Sequence, residues 1–213
     1  MRSYSNPSAV LLDMDGTLVD SDGAVERTWE AWSLEYGVDP ALTLADAHGS
    51  PSAATVARLR PDLDDDGVRE ATAWLTALEY EDLAGVGPAE GALRLVAVLE
   101  RSSIPWAVVT SADERLARAR LGAAGIEPPL LLTVDDVERG KPDPEGYLKA
   151  AAMLGVDIAG CLVVEDSEPG LAAGRAAGAM TASLRGLEAD LKLADLGRLA
   201  GLLEVSHRVR SGR

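Results

Sequence analysis

The chain has 213 residues, 47% of them hydrophobic, enough to bury a full core in one domain or in a domain that carries an insertion. A formal net charge of -15 argues against nucleic acid or anionic membrane surfaces as partners, since both bind through basic faces. The single cysteine, Cys161, precludes an internal disulfide, no apolar run approaches the roughly 18 residues of a membrane span, and the first ten residues have no hydrophobic signal core, so a cytoplasmic protein is expected.

Short apolar runs alternating with helical stretches give the rhythm of an α/β fold, a Rossmann-like doubly wound parallel sheet covered by helices. The first run, "AVLLDM" from Ala9, leads into Asp13 and Asp15. A long interval separates it from the next run, "WAVVT" from Trp106. Within that interval Val25, Trp29, Trp32 and Tyr36 fall at helical spacing, as do Val68, Thr72, Leu75 and Leu78, with no convincing strand among them. The interval therefore reads as an α-helical cap over residues 21–85, inserted into a core made of residues 1–20 and 86–213. Its edges, Val19 to Gly23 and Gly85 to Pro88, read as linkers able to hinge. "DLDDD", Asp62 to Asp66, suits a solvated helix entry, and "AHGSP", Ala47 to Pro51, a junction between helices. Three further runs follow from Leu130 ("LLLTV"), Cys161 ("CLVVE") and Met180 ("MTASL"). Helices are expected over Asp113 to Ala124, Pro144 to Leu154 and Pro169 to Ala177, each closing near a glycine (Gly125, Gly155, Gly178).

Ligands of open α/β sheets bind beyond the carboxyl ends of the strands, which directs attention to the residues that end each run. These are polar: Asp13-Met14-Asp15 after the first run, Thr110-Ser111 after the second, Lys141 in "GKPDPE" after the third, and Glu165-Asp166 after the fourth. Taken singly, each has an ordinary explanation as a turn or a helix cap. Four in this order, with a helical insertion after the first, are hard to explain as capping alone.

On these motifs the chain resembles the haloacid dehalogenase-like hydrolases, in particular the phosphatase and phosphomutase branch with a small helical cap, and within it the sugar-phosphate and polyol-phosphate phosphatases. The resemblance implies that Asp13 is a nucleophile, Asp15 a general acid and base, and Thr110 and Lys141 phosphate ligands. It also implies a magnesium ion held by Asp13, Asp166 and the Asp15 carbonyl, with Glu165 supporting the metal directly or through water. A carboxylate attacking a phosphate dianion needs such cations, because each pair of unit charges at about 4 Å costs roughly 4 kcal/mol at an effective dielectric near 20. Magnesium takes oxygen ligands and retains waters, so no His or Cys ligand is required.

The expected partner is a small phosphorylated metabolite, a sugar or polyol phosphate, bound by a monomer, with a dimer as the alternative. Substrate choice belongs to the insertion, with His48 and Arg58 as candidate contacts there and Ser111 as one from the core; Arg58 or Arg60 would stand in for the basic residue that relatives often carry where Ser50 and Pro51 lie here. The four tryptophans are assigned to the core. A phosphomutase of the beta-phosphoglucomutase type is the nearest competing reading. A signalling phospho-acceptor domain or a non-catalytic binding protein is a more distant one, disfavoured because the acidic pair ends the first strand and every catalytic residue type is present.

Overall fold

A computed structural model describes residues 6–46 and 51–211; His48 lies outside the described residues. Six strands, β1 (Ala9–Leu12), β4 (Trp106–Val109), β5 (Leu131–Leu132), β6 (Cys161–Glu165), β7 (Met180–Ser183) and β8 (Leu191–Lys192), form one parallel sheet in the order β5-β4-β1-β6-β7-β8. β1 lies inside it, with Val10 opposite Trp106 on one side and Leu162 on the other.

Alternation along β1 divides the core into two layers. Val10 and Leu12 pack on one face with α5 (Ala92–Arg101), α6 (Glu114–Ala123) and α9 (Leu196–Ser211). Ala9 and Leu11 pack on the other with α7 (Glu145–Met153) and α8 (Glu168–Ala177). A strand buried on both faces reads as an unbroken apolar run, which is why "AVLL", "WAVV" and "CLVV" stand out in the sequence. At roughly 25 cal/mol per Å² of apolar surface removed from water, burial of this kind dominates the favourable side of folding.

Between β2 (Val19–Asp20) and β3 (Gly87–Pro88) run four helices, α1 (Asp22–Tyr36), α2 (Pro40–Asp46), α3 (Ser52–Leu59) and α4 (Asp65–Glu81). α1, α3 and α4 share a separate cluster built on Val25, Trp29, Trp32, Val56, Ala71 and Leu75. Trp32 donates its indole N–H to the Ala71 carbonyl at 3.1 Å and stacks on Tyr36 at 4.9 Å. Asp64 opens α4 by accepting the Gly67 amide at 2.8 Å, so the acidic run is a helix entry, and Gly37 ends α1 in the left-handed region at φ 65°.

Three expectations change. The residues read as linkers are paired: β2 and β3 form an antiparallel ribbon, Val19 opposite Pro88, and Ala89 N donates to Leu18 O at 3.0 Å. The run from Leu130 yields a two-residue strand, because Thr133 bonds through both its amide and its hydroxyl to Asp136 and starts a 3-10 turn there. β8, too short to register as a pattern, extends the sheet by one strand.

Candidate active site

β1 ends at Leu12, and the next residue still donates its amide to Val164 O at 3.0 Å, so Asp13 is fixed as an extension of the sheet. The chain then turns tightly, with the Met14 carbonyl receiving the amides of Thr17, Leu18 and Val19. Gly16 makes the turn possible at φ +72°. A β-carbon there would also run into the carboxylate of Asp166 and the guanidinium of Arg185. Met14 drops into the core with Val10 and Leu12, while Asp13 and Asp15 both line the cavity above the sheet.

Asp13 stands at the head of a buried ionic network. Lys141 Nζ lies 2.6 Å from Asp13 Oδ1 and 2.6 Å from Glu165 Oε1. Glu165 Oε1 also accepts the Tyr147 hydroxyl at 2.6 Å, and Glu165 Oε2 accepts Ser167 Oγ at 2.9 Å. Burial raises the Asp13 pKa well above the usual carboxylate range, and the Glu165 charge adds to the shift while Lys141 opposes it. Burial alone would pull Lys141 down, but the two carboxylates prevail and hold it above its ordinary value, as a charged ammonium. Burial, followed by the Glu165 charge, pushes Asp166 up to about 7 against the pull of Arg185 and Lys141.

A second network holds Asp15. Its Oδ1 accepts Ser21 Oγ at 2.6 Å, and its Oδ2 lies 3.0 Å from an Arg120 terminal nitrogen. Arg120, on α6, reaches with its other terminal nitrogen to Glu79 of α4 at 3.3 Å. Arg120 and Glu79 are both buried. Burial raises the Glu79 pKa, which Arg120 opposes; for Arg120 itself burial is outweighed by the two carboxylates, so it stays above its ordinary value.

The cavity above these residues measures about 270 Å³. The sheet supplies Asp13, Thr110, Ser111 and Asp166 to its wall, and the four-helix unit supplies Trp29, Ser52, Thr72, Thr76 and Glu79. Thr110 Oγ1 accepts the Ala112 amide at 3.1 Å. The structure thus assembles Asp13, Asp15, Thr110, Ser111, Lys141, Glu165 and Asp166 in one place, with Lys141 beneath the cavity rather than on its wall. Arg58 is not among the residues that line it: the side chain is exposed and reaches toward Thr55 Oγ1 at 3.4 Å. Arg60 pairs with Asp62 and donates to the Tyr36 carbonyl. Trp29 is core and cavity wall at once.

Residues 7–178 match the haloacid dehalogenase-like hydrolase family. The chain belongs to this family. It is 38% identical to hexitol phosphatase A of Escherichia coli over 169 residues, 79% of this chain and 78% of that protein. It is 33% identical to 2-deoxyglucose-6-phosphate phosphatase 1 of Saccharomyces cerevisiae over 193 residues, 82% of this chain and 78% of that protein. The crystal structure of a beta-phosphoglucomutase from Clostridium difficile superimposes with a TM-score of 0.79 at 16% identity, covering 97% of this chain and all of that one, and shows the shared fold.

In this haloacid dehalogenase-like site, oxygens of Asp13, Glu165 and Asp166 lie within 4.8 Å of one another, all three residues buried. Three hard carboxylate donors suit magnesium, and the close approach of Gly16 to Asp166 brings the backbone of the turn against the same carboxylate. Glu165 differs from the other two, since both of its oxygens already accept hydrogen bonds from Lys141, Tyr147 and Ser167. Its fit is to a supporting position rather than to a direct ligand. Arg185, whose Nε lies 2.8 Å from Asp166 Oδ2, ties that carboxylate to Asp22.

Sequence reasoning missed Arg120, Glu79, Tyr147, Ser21, Ser167 and Arg185. Arg120 had a detectable signal: it lies four residues after Leu116 and three after Ala117, on the buried stripe of α6 rather than on its solvated face. Ser167 was visible only as a helix cap, a role it also fills, accepting the Gly170 amide.

Proposed function

We propose that this phosphoric monoester hydrolase is a magnesium-dependent phosphatase for a sugar or polyol phosphate, working through an aspartyl phosphate on Asp13. The observation that carries the reading is the Lys141 ammonium 2.6 Å from the carboxylate of Asp13 at the floor of the cavity, a nucleophile held beside a fixed positive charge.

Lys141 takes Oδ1 of Asp13, and Oδ2 is the attacking oxygen. As the Asp13–phosphorus bond forms, the bond from phosphorus to the leaving oxygen breaks and Asp15 gives its proton to that oxygen. In the second half-reaction Asp15 takes a proton from the water that attacks phosphorus, and the Asp13 carboxylate is released. Thr110 donates its hydroxyl hydrogen to a phosphoryl oxygen while Lys141 offsets the charge. Asp13, Asp166 and the Asp15 carbonyl, with Glu165 in support, would hold the magnesium ion, which when bound would supply Lewis-acid neutralisation of the phosphoryl charge.

Residues 21–85 act as the cap that selects the leaving group. The hydroxyl-bearing residues Ser52, Thr76 and Ser111 on the cavity wall suit a hydroxylated, uncharged leaving group, in keeping with the hexitol and deoxyglucose phosphates named for the two relatives. The test is phosphate release from a panel of hexitol, hexose and glycolate phosphates with magnesium or with excess chelator. Magnesium-dependent release, greatest for hexitol or hexose phosphates, is expected. Isomerised sugar phosphate without free phosphate, or undiminished release in chelator, contradicts the reading.

A further inference from the structure

The described residues hold one arginine that is both deeply buried and bonded to a carboxylate of each half of the molecule. Arg120 is 2% exposed, and its two terminal nitrogens bridge Asp15, on the turn after β1, and Glu79, on α4 of the inserted helices. Its Nε has no hydrogen-bond partner, although it too is buried. The Arg120–Glu79 pair is buried and Asp15 partly so, and a buried ion pair is a poor source of stability, because desolvation offsets most of the attraction between the charges. The retention of a guanidinium here, with one donor unmet, points to a role in geometry. The planar fork presents two donors in fixed relative directions, something a lysine cannot reproduce.

From this geometry we infer that Arg120 and Glu79 are positioning residues for the general acid: the fork aims the Asp15 carboxylate, and Glu79 anchors the fork to the inserted helices, so that Asp15 is aligned only while α4 is seated against α6. Ser21 donates its hydroxyl to the other carboxylate oxygen at 2.6 Å, which leaves Asp15 little rotational freedom. Two oxygens held by donors on separate elements define the carboxylate plane, and Glu79 keeps Arg120 from swinging out of it. The arrangement joins the element that selects the leaving group to the residue that protonates it. Neither Arg120 nor Glu79 exchanges a proton in this account; the proton passes from Asp15 to the leaving oxygen as the phosphorus–oxygen bond breaks.

This inference rests on Asp15 being the general acid, and the test separates the two statements. A hexitol alkoxide needs a proton in order to leave, whereas a p-nitrophenolate departs without one, so misalignment of the acid weighs on the first and not on the second. The quantity to measure is the ratio of kcat/KM for sorbitol phosphate to kcat/KM for p-nitrophenyl phosphate, since kcat/KM reports on the step in which the leaving group departs. Arg120→Lys, which keeps the charge and loses the fork, should lower the ratio about tenfold or more. Glu79→Gln, which keeps the shape and loses the ion pair, should lower it in the same direction and serves as the second probe should Arg120→Lys fail to fold. Asp15→Asn is the reference and should lower the ratio further than either. If Asp15→Asn lowers the ratio while both Arg120→Lys and Glu79→Gln leave it unchanged, whether through parallel losses or no loss, the positioning role is overturned. An unchanged ratio in Asp15→Asn overturns instead the assignment of the acid, and the inference with it.

Discussion

Tyr147 and Glu165 are joined by a 2.6 Å hydrogen bond in the fully buried floor of the site, and the accepting oxygen, Glu165 Oε1, is the one that also holds Lys141. With Ser167 on its other oxygen, Glu165 is committed to fixing the ammonium that faces Asp13. Tyr147→Phe removes one donor and leaves the ion pair in place. It should cost about 1 kcal/mol of stability and lower phosphate release by less than about tenfold. Urea denaturation and steady-state kinetics check both; loss of all activity would mean that the phenol contacts substrate.

Lys141→Met should act far more severely. The substitution leaves Asp13 and Glu165 with no cation between them, and breaking a buried pair in this way costs about 3–5 kcal/mol. Phosphate release should fall by about 10²-fold or more, as when other preorganised charge partners of a transition state are removed. Unchanged kinetics would remove Lys141 from the site.

Gly16→Ala tests the turn. A non-glycine residue at φ +72° is strained by about 1–3 kcal/mol, and its β-carbon would displace the carboxylate of Asp166. The magnesium concentration for half-maximal activity should rise together with the loss of thermal stability. A shift in melting temperature with unaltered magnesium dependence would show that the approach of Gly16 to Asp166 has no bearing on the metal.

Burial pushes the Cys161 thiol up to about 11, and the Asp157 charge adds to the shift. An unfolded thiol ionises near about 8.5, so the folded state favours the protonated form. The resulting stability is fully present below that pH and is lost as pH rises toward 11. The destabilisation caused by Cys161→Ala should therefore shrink between about pH 8.5 and 11, as read by urea denaturation across that range. In the native protein at neutral pH the thiol should resist a disulfide reagent and react promptly in urea. Rapid native labelling would contradict the burial.

What the sequence disclosed follows from the physics of each element. β1, β4 and β6 were legible because a strand buried on both faces is an apolar run, β7 was fainter because Thr181 and Ser183 interrupt it, and the polar residues that end the first three were legible because an open sheet places its ligands there. β5 was legible as the run from Leu130 but not in its length, since the choice of Thr133 to cap a turn depends on Asp136 three residues later, and β8 was not legible, because two residues carry no periodicity. The spacing of Arg120 from Leu116 and Ala117 marks its place on the buried stripe of α6, but its role escaped because its partner Glu79 lies 41 residues away in the chain. Lys141 was found as a cation near phosphate, but its clamp on Glu165 and the Tyr147 hydrogen bond behind it arise from the packing of α7 against β1 and β4 and have no local signature.

The central claim, that Asp13 is the nucleophile that accepts the phosphoryl group, is tested most directly by mass spectrometry of Asp15→Asn enzyme quenched in acid during turnover of p-nitrophenyl phosphate with magnesium. Without the base that activates water, the covalent intermediate should persist, and the account predicts one phosphoryl group on the peptide that contains residues 9–20, mapped to Asp13 and absent from the Asp13→Asn protein. A phosphoryl group on Thr110 or Ser111, or continued turnover by Asp13→Asn, would contradict it.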